Sequence, residues 1–272
     1  QSRVDLTASS RLLAVGSGGF EVAGGLRLET PLVTAAQAAV HGVSAGGAVS
    51  LVRPAVASAA EAGGLGARFS IEGAAVSLDS EIVLPSGELI ARATAGDLRL
   101  GSNAASLINL AGVSKVFLDV SRFTDGGTAT LESATGSVVL GEGGTVDVSA
   151  PAGGGNAGGI NVRAQNGGFD LLGVMKGGAA TGRRAGSFTL DAGRLAGGAL
   201  DVVINNAGIG MTGPVEVQDM AATQLAFDTN VFGVQRVIRA ALPWLMMLIG
   251  FLMVITYIPA VSMALPTWLG MT

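Results

Sequence analysis

Residues 126–191 break into strand-length runs bounded by glycine: 128–131, 138–140, 146–148, 160–162, 169–171 and 188–190, with Gly, Ala, Ser, Asn or Asp between them. Within a run the apolar residues alternate with polar ones, as in Val146-Asp147-Val148 or Phe169-Asp170-Leu171. That period of two buries one face and leaves the other wet. No run can bury its apolar face alone, so each needs neighbours above and below.

Less regular runs continue upstream at 69–71, 76–78, 82–84, 89–91 and 98–100, separated by spacers such as Glu72-Gly73, Asp79-Ser80 and Pro85-Ser86-Gly87. These spacers are turn signals, because Gly supplies positive φ and Asp or Ser bonds the local backbone. Strands this short and even suit a sandwich, a barrel or a parallel β-helix. Three details favour the β-helix. The pairs Gly126-Gly127 and Gly158-Gly159 open similar blocks about one coil apart, two-residue hairpin turns are scarce, and Gly-rich insertions at 152–158 and 177–186 read as loops thrown from one corner.

Composition agrees with narrow stacked coils rather than a conventional globular core. The 272 residues include 43 Gly, with 13% charged and 4% aromatic residues, against about 7% Gly and 25% charged in an average protein. A net charge of −4 without a basic cluster argues against a nucleic-acid partner. The absence of cysteine excludes disulfides, thiolate zinc sites and cysteine nucleophiles. The single histidine, His41, has no second ligand or nucleophile at fixed spacing and reads as structural. No metal site and no cofactor are expected. Residues 1–10 are polar and 11–15 are too short for the apolar core of a signal peptide.

The stretches Gly144-Thr145-Val146-Asp147-Val148-Ser149-Ala150-Pro151, Gly159-Ile160-Asn161-Val162-Arg163-Ala164 and Gly186-Ser187-Phe188-Thr189-Leu190-Asp191-Ala192-Gly193 resemble the repeats of filamentous-haemagglutinin-like secreted proteins. That resemblance, over about residues 60–198, implies a right-handed parallel β-helix displayed at a cell surface and used in adhesion. A partial Gly-rich match at 181–186 has Phe188 where the next glycine would stand, and no buried strand leads into it.

After Gly198 the composition changes. Leu200-Asp201-Val202-Val203-Ile204 reads as a fully buried strand, and residues 219–241 as a helix with Leu225, Val231, Val234, Val237, Ile238 and Ala241 near helical spacing. The words Asp201-Val202-Val203-Ile204-Asn205-Asn206-Ala207-Gly208, Gly213-Pro214 and Phe227-Asp228-Thr229-Asn230-Val231-Phe232-Gly233-Val234 are similar to the middle of the short-chain dehydrogenase/reductase family. The resemblance implies that Asn205, Asn206, Ala207 and Gly208 form a turn beside the cofactor, and that Asn230 holds a water in the proton relay. The Gly-rich phosphate turn does not precede this block. Tyr257 is the sole tyrosine, with Val261 where the family's lysine would be. On those grounds no catalytic residue is expected and the chain reads as a non-enzyme.

From Leu242 onward there is no charged residue. Residues 244–269 are long enough to cross a bilayer, with Trp244, Tyr257 and Trp268 as interfacial anchors, and the ending resembles the last transmembrane segment of TRAP-type transporter large subunits. The expected fold class is therefore mainly β: a right-handed parallel β-helix over 1–198, then a short β-α segment over 199–241 and a C-terminal hydrophobic helix within 242–272. The expected function is structural or adhesin-like, in a composite chain without evolved activity; the alternative is an NAD(P)-dependent short-chain oxidoreductase. Expected partners are a membrane, through the tail, and other copies, through strand edges. The repeats point to secretion or a cell surface, and the tail to a membrane.

Overall fold

Period-two alternation becomes strand after strand, and each inward residue lands on the equivalent residue of the next turn of the chain. The computed structural model describes residues 2–56, 63–118, 120–196 and 234–257. The first turn is β1 (Arg3–Thr7), β2 (Leu12–Ala14) and β3 (Ser17–Val22); the second is β4 (Gly25–Glu29), β5 (Leu32–Ala35) and β6 (Val40–Ala45). Then come β7 (Val49–Val52), β8 (Arg68–Gly73), β9 (Val76–Asp79), β10 (Glu81–Val83), β11 (Glu88–Ala93), β12 (Leu98–Leu100) and β13 (Ser106–Asn109). A hairpin of β14 (Ser114–Phe117) and β15 (Val120–Phe123) leads to β16 (Thr128–Ser133), β17 (Val138–Leu140) and β18 (Gly144–Asp147). The series ends with β19 (Gly159–Leu171), β20 (Val174–Lys176) and β21 (Ser187–Ala196).

Pairing is parallel everywhere among the described strands except in the β14–β15 hairpin. Leu6, Leu28, Leu51, Leu78, Leu100, Leu140 and Leu171 stand in one unbroken register column. A second column runs Leu12, Val33, Ile82, Ile108, Val146 and Met175. Side chains from these columns meet in a single buried cluster spanning Ala14 to Phe169. The opposite residues of each strand face outward and carry ion pairs between turns, such as Arg68 with Glu88 at 2.6 Å.

The glycine pairs noted above mark a corner where successive turns nearly touch. Ser187, Thr128 and Glu88 donate their amides to the carbonyls of Gly158, Gly87 and Ala67 at 3.0, 2.9 and 2.8 Å. A Cβ at Gly158 would overlap the Gly127 carbonyl oxygen, and one at Gly127 would overlap that of Gly87. Only glycine lets the backbones approach so closely.

The expected fold class, a right-handed parallel β-helix followed by a β-α segment and a hydrophobic helix, is corrected. The described strands form a nearly closed sheet of thirteen strands, which begins with β1 and ends with β3 of the same first turn, and a separate sheet of six. The sheet doubles back because β19 is one strand of 13 residues that pairs with both β16 and β17. Sequence reading split it at Gly167-Gly168, yet the backbone continues through that doublet with only a register shift between Ala164 and Gly168. The strand expected at Leu200–Ile204 lies outside the described residues.

The chain divides into two units, Gln1–Ala199 and Leu200–Thr272. In the second, one helix is described, α1 (Val234–Tyr257), with Pro243 inside it. The expected transmembrane tail is corrected too: no helix among the described residues is long and apolar enough to cross a membrane.

Candidate functional site

In the first unit the outward face of the large sheet carries a column of side chains: Glu21, Ser44, Glu72, Arg92, Glu132, Arg163 and Asp191. Arg92 sits between two carboxylates, 3.9 Å from Glu72 and 3.7 Å from Glu132. An open trough runs alongside, floored where Gly19 and Gly42 remove side chains and flanked by Ser70 and Ile90. Its lining carries three carboxylates, Glu21, Glu72 and Glu132, against the single guanidinium of Arg92. No nucleophile with an adjacent base is assembled there, so the trough offers a surface for contact rather than acid–base chemistry.

Polar side chains in this unit hold loops in place. Asp79 accepts hydrogen bonds from Ser77 Oγ at 2.9 Å, from Asn103 N at 3.1 Å and from Asn103 Nδ2 at 2.8 Å. It thereby fixes the loop before β13. His41 Nε2 donates to the Val15 carbonyl at 2.8 Å, closing the corner before β3. That is a structural contact. Among the described residues no group of three or more His, Cys, Asp or Glu side chains could hold a metal ion.

The residues that the sequence singled out, Asn205, Asn206, Ala207, Gly208 and Asn230, all lie outside the described residues. A dinucleotide site takes its pyrophosphate on a Gly-rich turn at a helix N-terminus. Among the described residues before 197 there is no helix, and parallel strands are joined through the other strands of each turn.

Comparison with known proteins bears on the second unit. The family model described as Enoyl-(Acyl carrier protein) reductase matches residues 189–271. Retinol dehydrogenase 8 of Bos taurus is 53% identical over 47 residues, 17% of this chain and 15% of the dehydrogenase. The human protein of the same name is 52% identical over 46 residues, again 15% of its length. A C4-dicarboxylate TRAP transporter large permease protein of Pseudomonas aeruginosa is 74% identical over 35 residues, 8% of the permease. The chain thus spans only a small part of each curated relative. No solved structure matches.

These matches overturn two expectations and bear out, over 35 residues, the resemblance to a TRAP-type transporter large subunit. The structural, adhesin-like reading has no support among them, and the reading as a non-enzyme gives way to a reductase family model and two dehydrogenases. The reductase match also runs on to residue 271, through the tail that had been set apart as a membrane segment. The exclusion rests on a Gly-rich turn missing upstream of residues 199–241 and a Tyr/Lys pair missing downstream of them, whereas the match spans residues 189–271. Residues 189–271 are thus similar to a reductase family model, and short stretches of the chain to two dehydrogenases, behind a long run of parallel strands.

Proposed function

We propose that this chain acts as an oxidoreductase of the short-chain dehydrogenase/reductase type, with residues 189–271 exchanging hydride between a nicotinamide dinucleotide and a carbonyl or alcohol on an apolar substrate. The observation that supports the reading is the agreement between a reductase family model and two dehydrogenases named for retinol, an apolar alcohol. The Asn205-Asn206-Ala207-Gly208 turn would lie against the nicotinamide and its ribose. Its amide side chains can both donate and accept there. Asn230 would hold a water for proton delivery. The cofactor, when bound, supplies the hydride.

The donor set fits the nicotinamide end. It does not provide a phosphate cradle, since no Gly-rich turn leading into a helix occurs among the described residues before 197. Binding should therefore be saturable but weaker than in an enzyme holding both ends of the dinucleotide.

Titrating the full chain with NADH and NADPH while following nicotinamide fluorescence tests this. The expected result is saturation that Asn206→Ala weakens by about tenfold, the effect of losing roughly 1.4 kcal/mol of hydrogen bonding. Absence of saturable binding, or binding indifferent to Asn206→Ala, overturns the proposal.

A further inference from the structure

The β14–β15 hairpin stands apart from the parallel strands in the middle of the first unit, with β13 before it and β16 after it. Its two strands pair only with each other. Its root is clamped. Thr124 donates its amide to the Val113 carbonyl at 3.0 Å, its Oγ1 accepts the Val113 amide at 2.9 Å, and Ser86 Oγ lies 2.6 Å from the same hydroxyl. The Phe123 ring lies over Gly153 and Gly154, where a Cβ would come within 2.6 and 2.8 Å of it. The other end is bare: Val116 is 68% exposed, Val120 48% and Leu118, at the turn, 101%.

Register spreads these side chains over both faces of the ribbon. Val116 stands opposite Ser121 on one face, while Val120 and Arg122 share the other, with Lys115 directly across from Arg122. Both cations are exposed, and neither has a carboxylate partner among the described residues. Like charges directly opposite destabilise a ladder, and a two-stranded hairpin is marginal in water by itself. An anionic surface with an apolar layer beneath it relieves both. A protein groove covers one face of a ribbon, whereas a fluid layer envelops a tip that is apolar on both faces.

We propose that this tip docks on an anionic phospholipid bilayer, with Val116, Leu118 and Val120 among the upper acyl chains and Lys115 and Arg122 at the headgroup phosphates. The spacing fits. Arg122 lies two residues behind Val120, about 7 Å at the rise of a strand, and interfacial segments bury their apolar side by about 5–10 Å. Asp119, the hairpin's one carboxylate in sequence, opposes deeper entry, so the contact is interfacial and not spanning.

The chain has no cysteine, so one introduced thiol carries a polarity-sensitive dye without background. Dye on full-length Ser121→Cys, beside the tip, should shift to the blue on vesicles of phosphatidylcholine and phosphatidylserine in equal parts, and brominated acyl chains should quench it. Dye on Ser50→Cys, outward on β7, should do neither, which separates the hairpin from any contact made by α1. Each basic side chain near an anionic surface favours binding by roughly fivefold, so Lys115→Gln with Arg122→Gln should raise the lipid concentration at half-shift by roughly twentyfold. Pure phosphatidylcholine should weaken the response to a similar degree. Leu118→Asn, which suits the φ of +55° at that position, should weaken it too, and Asp119→Asn should strengthen it. Circular dichroism checks that each variant keeps its strands. No shift at Ser121→Cys, an equal response to neutral vesicles, or indifference to these substitutions would overturn the proposal. So would a shift that grows with protein concentration in the absence of lipid, which would mark a second copy as the occupant.

Discussion

Asp97 ties two turns of the chain together with one carboxylate. Its Oδ1 accepts the amide of Ser137 at 2.9 Å, forty residues on, and its Oδ2 accepts from Arg99 at 2.6 Å. The backbone hydrogen bond, helped by the guanidinium, holds the carboxyl below its ordinary range. A folded-state value below the unfolded one contributes stability above the unfolded pKa, near 3.9, and loses it as pH falls through the folded value. Asp125, bonded by the Asn156 amide, shifts in the same direction. Asp97→Ala should cost about 1 kcal/mol at pH 7, discounted for partial exposure, and the gap to the parent should close toward pH 2. Urea midpoints at the two pH values measure this, and an equal gap at both would show that the charge is idle. The glycine corner makes a second residue-scale test. Gly127→Ala forces the new methyl into the Gly87 carbonyl and should cost about 1–3 kcal/mol, while Gly178→Ala, with open space around it, should leave the melting temperature within a degree or two.

For the elements, the leucine column shows what was legible and what was not. Period-two alternation located β8, β9, β11, β12, β16 and β17, because in each the buried side chains are the alternate apolar ones. The same signal stood in Leu26-Arg27-Leu28 and Val49-Ser50-Leu51, which were not singled out as runs although they carry the column into the first turns. The β14–β15 hairpin went unseen for a different reason. At its turn Leu118 has φ +55°, where glycine or asparagine would have advertised a tight turn. β19 failed the other way, since its glycine doublet looks like punctuation but packs as strand. Column membership has an energetic consequence: Leu78, wholly buried between Leu51 and Leu100, should cost about 3 kcal/mol as Leu78→Ala. Ser50→Ala, beside Leu51 of the same column and facing outward, should cost well under 1 kcal/mol. Equal losses in denaturant titrations would mean that the column is not where this unit's stability resides.

Across the whole molecule, fold and function separate along the chain. The buried cluster runs from Ala14 to Phe169 and so belongs entirely to the unit Gln1–Ala199, whereas the reductase-type match spans residues 189–271 and falls mostly in the other unit. The words around Asn205 and Asn230 were legible as a family resemblance because short, specific words survive in sequence; the surroundings they need could not be read from words alone. Removal of residues 200–272 deletes none of the buried cluster. The shortened chain should therefore keep its strand-type circular dichroism and melt within roughly 4 °C of the parent, the shift about 1 kcal/mol produces in a protein of this size. It should lose all saturable nicotinamide fluorescence. A large fall in melting temperature would show that the second unit stabilises the stack, and retained cofactor binding would place the site in the parallel strands instead of the reductase-type segment.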